Sequence, residues 1–366
     1  MKTVLVITRH AIANYGSILQ AIATQRAVTQ LGYDCKIIDY IRKDEYKNNG
    51  LITAAKQKSY VKKCPPLLGA YCVARLMENT LANNKFEKMR NKWLPKTKLC
   101  HDLNNPPEAD VYMTGSDQVW GPLMNGEYDW NYFLGFVNSN AKKVSYAASF
   151  GKMDISQKDA NEMYGYLKIY DNITVREFQA VEMLRENGIE SEQVLDPTLL
   201  FDGNSWRKML STEVRFDKGK YVLVYQIHKN ERLSRYAKLF AEKIGLPLKR
   251  VAVMRHQKTW GGEFIETPDI KEFIKYIDDA AYVVTDSFHG TAFSINLNTP
   301  FVTLMPETGT SARNISLLEL TELNSQIAKD ENDFSVINHN VSFERANKIL
   351  SVERKKSLAL LESILA

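Results

Sequence analysis

The sequence predicts an α/β protein of two domains, each built on a parallel sheet, with a helical tail. Three observations carry that expectation. Short, continuously apolar segments such as "TVLVI" and "YVLVY" recur, the pattern of strands buried on both faces. Amphipathic helical stretches alternate with them, as the crossovers of a parallel sheet require. The chain has 366 residues, more than one hydrophobic core usually serves.

The elements follow in order. "TVLVI" is the first strand, and "GSILQAIATQRAVTQLG" is a helix with Ile18, Leu19, Ile22, Ala23, Ala27, Val28 and Leu31 on one face. Gly32 ends that helix, and "CKIIDY" is the next strand. Residues 41 to about 100 break the rhythm and read as a basic, aromatic, mostly helical insertion interrupted by Pro65 and Pro66. The rhythm returns with the short strands "DVYMTG", "KVSYAASF", "NITVRE" and "SEQVLDP", and Pro197 and Gly203 punctuate a boundary. The first domain is therefore expected at 1–203 and the second at 204–340. The second runs from "KYVLVYQIH" through helices at 231–244 and 269–278, the strands "LKRVAVM" and "AAYVVTDS", a helix after His289, "PFVTLM" and the helix in "TSARNISLLELTEL". Residues 341–366 read as an amphipathic terminal helix. Two successive Rossmann-like halves predict a bilobal molecule whose sheets face across a cleft.

Composition narrows the function classes. The balance of 48 Lys/Arg against 43 Asp/Glu gives a formal net charge of +5, which tolerates anionic ligands or lipid headgroups without demanding them. No basic block with interleaved aromatics points to nucleic acid. Cys35, Cys64, Cys72 and Cys100 show no C-x-x-C spacing, so neither a zinc ribbon nor a redox pair is expected. The apolar run in "MKTVLVITRH" is too short for a signal peptide or a membrane span. The expected location is cytoplasmic, with peripheral contact to the inner face of the membrane allowed. No H-E-x-x-H or similar spacing calls for a metal.

Ligands of parallel α/β sheets bind beyond the carboxyl ends of the strands, so the strand-to-helix turns are the places to look. "NYGS" (Asn14, Tyr15, Gly16, Ser17) opens a helix whose free N–H groups suit an anion or simply take a cap from Asn14 or Ser17. It is neither G-x-G-x-x-G nor a P-loop. "TGSDQVW" gathers Ser116, Asp117 and Trp120, a set that fits a sugar site or a capped turn over a buried tryptophan. Arg176 in "TVRE" ends a strand, where it can grip a carboxylate or phosphate, or pair with Glu177. "QIHKN" carries His228, and His10 stands at another strand end, so both are candidates to line the cleft. "TDSFHGTA" is the richest turn. His289 falls in the first turn of a helix, where the positive helix end disfavours imidazolium. Ser287 and Thr291 add hydroxyls beside it, and Gly290 permits close ligand approach. His101, His256 and His339 have no supporting context.

These turns, in this order, resemble the polysaccharide pyruvyl transferase family. The matching pieces are "NYGSILQAIATQRAVTQLGYDCKIIDY", "DVYMTGSDQVW", "VSYAASFG", "ITVRE", "VLDPTLL", "VVTDSFHGTAFSINLNTPFV" and "GTSARNISLLELTEL", spanning residues 14–323 apart from the insertion. The resemblance implies a GT-B-like fold and transfer of pyruvate from phosphoenolpyruvate onto a sugar, commonly as a cyclic ketal, in bacterial surface or capsular polysaccharide synthesis. It implies a sugar, oligosaccharide or lipid-linked glycan as acceptor on the first domain, the donor on the second, and no cofactor beyond phosphoenolpyruvate as co-substrate. By matching position His289 is the implied proton donor or relay. The donor set is Arg176, Ser287, Gly290, Thr291, Ser311 and Arg313, and the acceptor or cleft set is Asn14, Tyr15, Gly16, Ser17, Ser116, Asp117, Trp120 and His228. Some members carry arginine two residues before the histidine, where this chain has Ser287. Arg313 is the preferred replacement, ahead of Arg9, Arg255 and Lys258. Two other readings remain open: a GT-B glycosyltransferase using a nucleotide sugar, and a non-catalytic glycan-binding protein.

Overall fold

The computed structural model describes residues 1–45, 65–138, 140–151, 155–211, 218–305 and 311–366. Residues 46–64 of the expected insertion, with Cys64, lie outside them. The chain forms two compact units: residues 1–194 together with 360–366, and residues 195–359.

In the first unit β1 (Thr3–Ile7), β2 (Asp34–Ile37), β3 (Val111–Thr114) and β4 (Lys142–Ser145) make a parallel sheet in the order β2-β1-β3-β4. Val4 stands in register with both Cys35 and Val111. Single bridges Val144–Asn172 and Ala148–Val175 carry pairing on to the short β5 (Thr174–Val175) and β6 (Glu192–Gln193). β3 is buried at every position, which is why its sequence shows no polar alternation.

Helix α1 (Tyr15–Gln30) departs from the single apolar face expected of it. It is buried almost all the way round, with Gln20, Thr24 and Gln25 inside as well as the aliphatic residues. β2 lies along one side of it. On another, Phe86 of α2 (Pro65–Trp93) packs on Tyr15 with ring centroids 5.0 Å apart. Gln20 survives burial because its Nε2 donates to the Thr8 hydroxyl at 2.8 Å. Pro65 and Pro66 begin α2, where the first helical turn needs no backbone donor. Helices α3 (Gln157–Leu167) and α4 (Phe178–Glu186) complete the unit's main elements.

The second unit opens with the short helices α5 (Pro197–Leu200) and α6 (Gly203–Leu210). Pro197 and Gly203 therefore lie inside this unit, and the division falls after Val194. Strands β7 (Val222–Tyr225), β8 (Leu248–Ala252), β9 (Glu263–Glu266), β10 (Tyr282–Thr285) and β11 (Phe301–Thr303) form a parallel sheet ordered β11-β10-β7-β8-β9. Helix α7 (Glu231–Ile244) follows the expected pattern, burying Leu233, Tyr236, Ala237, Phe240 and Ala241 under an Asn230 cap. Helix α8 (Ile270–Asp279) starts with a capping box between Asp269 and Glu272. Helix α9 (Phe288–Leu297) is buried at all its positions, because α5, α6, α8 and α10 (Ala312–Leu320) surround it together with β10 and β11. The tail helix α11 (Glu344–Leu365) belongs to the second unit up to residue 359 and to the first from residue 360. Among the described residues no helix is long and apolar enough to cross a membrane.

Each sheet reverses its strand order once. The reversal falls between β1 and β3 in the first unit and between β7 and β10 in the second. Beyond the carboxyl ends of such a strand pair the two following loops diverge and leave a crevice for a ligand.

Candidate active site

Polar turns gather at both reversals. In the first unit the turn after β1 meets the turn after β3. Asn14 caps α1 by accepting the Gly16 N–H at 2.8 Å, and the Ser17 hydroxyl donates instead to Asp117. Asp117 stands at φ 77°, a left-handed conformation that few residues other than glycine tolerate and that Asp accepts better than most. Its second oxygen takes the Gln118 N–H at 2.8 Å. From β5 the buried Arg176 reaches across, with Nη1 3.5 Å from the Ser116 hydroxyl and Nε 3.6 Å from Glu177. The pairing with Glu177 read from "TVRE" is present, and the guanidinium also points at the Ser116 turn. Glu177 also accepts from Ser149 and is itself buried.

Three expectations fail in this unit. Trp120 has no face open to a sugar. It is fully buried, its N–H donates to the Tyr132 carbonyl at 3.1 Å, and Phe133, Phe150 and Tyr170 pack on it. Tyr15 is core, held by Phe86. His10 does not line an opening, since its ring is enclosed between the Thr8 carbonyl and Asp39, 3.0 Å from each. Burial would raise the Asp39 carboxyl, but His10 and Lys96 outweigh it and bring the group down to about 2.

In the second unit His289 is the second residue of α9, 6% exposed, with Phe288 edge-on to its ring. Its Nε2 lies 3.8 Å from Oδ2 of the buried Asp196. The other Asp196 oxygen caps α5, accepting the Thr198 N–H at 3.0 Å and its hydroxyl at 2.7 Å. Opposing influences therefore meet at the imidazole: the positive end of α9 disfavours a charged ring, and the Asp196 carboxylate balances one. Sequence reasoning did not single out Asp196, which in "SEQVLDP" reads as the polar end of a short strand.

The neighbours of His289 are more structural than expected. Ser287 is the N-cap of α9, its hydroxyl accepting the Gly290 N–H at 3.2 Å. Gly290 serves packing rather than ligand approach, because a Cβ there would overlap the Thr285 hydroxyl. Thr291 is buried, its hydroxyl 2.9 Å from that of Thr303. Asp286 accepts the N–H groups of Ile227 at 2.8 Å and His228 at 3.1 Å, and stands 3.1 Å from His228 Nδ1. That arrangement fastens the β7 loop to the β10 loop at the strand reversal and leaves the His228 side chain 35% exposed. A buried residue missed in the sequence, Arg250, braces the same loop. It donates to the carbonyls of Gly261 and Trp260 and to Gln226 Oε1, while Gln226 Nε2 donates to the His228 carbonyl. Burial pulls Arg250 down to about 10 despite the nearby Asp286.

The basic residues considered as replacements at position 287 separate clearly. Arg9 is tied to Glu45, and the exposed Arg255 to Glu266. Lys258 is exposed on the 3-10 helix Arg255–Trp260. Arg313, in the first turn of α10, lies over the Phe288 ring at 5.9 Å and so stands beside the His289 turn. Ser311, at the N-cap position of α10, makes no side-chain cap. Among the described residues no group of three or more His, Cys, Asp or Glu side chains assembles.

Several solved structures are similar in fold. A putative UDP-N-acetylglucosamine 2-epimerase from Listeria monocytogenes superposes with a TM-score of 0.55 at 10% identity, covering 96% of this chain and 91% of that one. A UDP-GlcNAc 2-epimerase from Neisseria meningitidis gives 0.53 at 9% identity over 100% and 99% of the two chains. The spinosyn rhamnosyltransferase SpnG gives 0.51 at 10% identity over 100% and 99%. No curated protein matches the sequence. These likenesses define the class: an α/β protein of GT-B-like fold, as the family resemblance implied. Within that class the family model for polysaccharide pyruvyl transferase matches residues 14–307, and the chain belongs to that family of transferases.

Proposed function

We propose that the protein transfers the pyruvyl group of phosphoenolpyruvate to two hydroxyls of one sugar, forming a cyclic ketal on a bacterial surface or capsular polysaccharide precursor. The acceptor is a sugar, oligosaccharide or lipid-linked glycan, and the reaction runs on the cytoplasmic side without a further cofactor. The observation that carries the reading is His289 at the first turn of α9, beside the Asp196 carboxylate, in a chain of this family.

The chemistry follows from the donor. Phosphoenolpyruvate carries a phosphate and a carboxylate, which guanidinium groups and helix N-termini suit. Arg313 beside Phe288 supplies such a group on the second unit, next to the His289 turn. His289 gives a proton to the methylene carbon, which becomes a methyl group, and the adjoining carbon becomes oxocarbenium-like. A sugar hydroxyl adds to that carbon and returns a proton to the imidazole. Phosphate then leaves, and the second hydroxyl adds in its place, its proton departing with the phosphate. One ketal and one inorganic phosphate result from one donor and one diol.

The test is phosphate release. With phosphoenolpyruvate and a pyruvylatable acceptor, phosphate should appear together with a product heavier by one pyruvate ketal, and neither should form without acceptor. His289→Ala should lower turnover by roughly 10²–10⁴ with the thermal unfolding transition unchanged. Turnover of a nucleotide sugar instead of phosphoenolpyruvate would make the protein a glycosyltransferase. Glycan binding with no turnover of either donor would make it a binding protein.

A further inference from the structure

Helix α2 has two apolar sides. Around the helix, at 3.6 residues per turn, Ala82, Phe86 and Met89 fall on one side, and all three are buried against the first unit. Val73, Leu76, Met77 and Leu81 fall in an arc of about 140° on the opposite side. All four are exposed, Val73 at 58% and Met77 at 63%. The helix is anchored by its second half, where Phe86 packs on Tyr15 and Arg90 Nη1 donates to the Ala11 carbonyl at 2.9 Å.

Charge is distributed to match. Residues 71–84 contain two charged side chains, Arg75 and Glu78, which pair with each other at 2.9 Å away from the apolar arc. Further along, Lys88 and Lys92 are exposed in line with the arc's Leu81 edge, and the exposed Glu87 falls near its Leu76 edge. Residues 65–100 hold seven Lys/Arg against two Glu, a surplus equal to the whole chain's net charge of +5, so the rest of the sequence is neutral overall. An apolar stripe continued by exposed lysines is the pattern of a helix lying in the plane of an anionic bilayer. There the apolar face enters the acyl boundary and the ammonium groups meet phosphate headgroups.

We propose that α2 docks the first unit on an anionic lipid surface through Val73, Leu76, Met77 and Leu81, with Lys88 and Lys92 on the headgroups. A second copy of the chain fits the stripe less well, because it would bring two positive surpluses together. Docking would hold the turn after β1, to which Arg90 is tied, near the bilayer, where a lipid-linked glycan presents its sugars. The inference does not depend on which donor the protein uses.

The full chain is mixed with vesicles of phosphatidylcholine alone and of phosphatidylcholine with phosphatidylglycerol, and the bound fraction is read by sedimentation. Binding is expected to the anionic vesicles and to be weak on the neutral ones. Val73→Glu with Met77→Glu should lower it roughly tenfold or more, and Lys88→Glu with Lys92→Glu should abolish the preference for phosphatidylglycerol. Both pairs are exposed, so the unfolding temperature and turnover on a soluble acceptor should stay as in the parent. The proposal is overturned if anionic vesicles bind no better than neutral ones, if the Val73/Met77 variant binds undiminished, or if the parent is a dimer that this variant splits.

Discussion

The two oxygens of the Asp196 carboxylate face different groups, and the two contacts can be separated by substitution. Its Oδ1 holds the start of α5, and its Oδ2 faces the His289 ring at 3.8 Å. Asp196→Asn keeps an oxygen for the cap and removes the charge. We expect kcat to fall roughly ten- to a hundredfold. The loss of activity that accompanies deprotonation of His289 should also move to lower pH, since the protonated ring loses the negative neighbour that favours it. Asp196→Ala should add about 1 kcal/mol of instability from the lost cap. A pH–rate profile and melting curves on both variants separate these effects, and an unchanged profile in Asp196→Asn would leave Asp196 as a cap alone. His289 could be read from the sequence because a polar turn after an apolar strand marks a sheet's carboxyl edge. Asp196 could not, because an Asp before Pro is explained locally, and its approach to the ring exists only once α5 and α9 pack. Trp120 misled for the complementary reason: its turn is polar, and nothing nearby in sequence announces Phe150, Tyr170 or the Tyr132 carbonyl.

Helices that met one packing surface were legible, and helices that met several were not. The spacing of apolar residues in α7 maps directly onto its buried face. In α1 and α9 even hydroxyl and amide side chains are enclosed, so their sequences carry too few charges to reveal a face. Close packing of α9 has a direct consequence at Gly290. The Thr285 hydroxyl that a Cβ would overlap donates to the Tyr225 carbonyl at 2.6 Å and accepts the Ser287 N–H at 3.0 Å, so it cannot swing aside without breaking both. Gly290→Ala gains about 1 kcal/mol of helix propensity, but forcing α9 away from β10 costs about 1–3 kcal/mol. We expect a lower unfolding temperature and, because His289 is the adjacent residue, a fall in turnover larger than the loss of folded protein explains. Calorimetry and initial rates on the purified variant check both.

At the scale of the molecule, the alternation of apolar strands and helices was enough to anticipate two parallel sheets. The place where one unit gives way to the other was less visible. Pro197 and Gly203 punctuate the chain strongly, but α5 and α6, which they begin, pack on α9 and so belong to the second unit. The tail helix was visible as amphipathic, whereas its division between units was not, since Leu361, Ile364 and Leu365 look like any other apolar stripe. That division sets an order of events during synthesis. Residues 360–366 are part of the first unit, so its core stays unfinished until the whole second unit has been translated. At 5–20 residues per second the wait is about 10–30 s. In that interval the nascent first unit lacks three core side chains, Leu361, Ile364 and Leu365. Ribosome-bound chains released after residue 194 should be cut rapidly by a protease, while the full chain resists. Equal resistance of the two would show that the first unit closes its core without waiting.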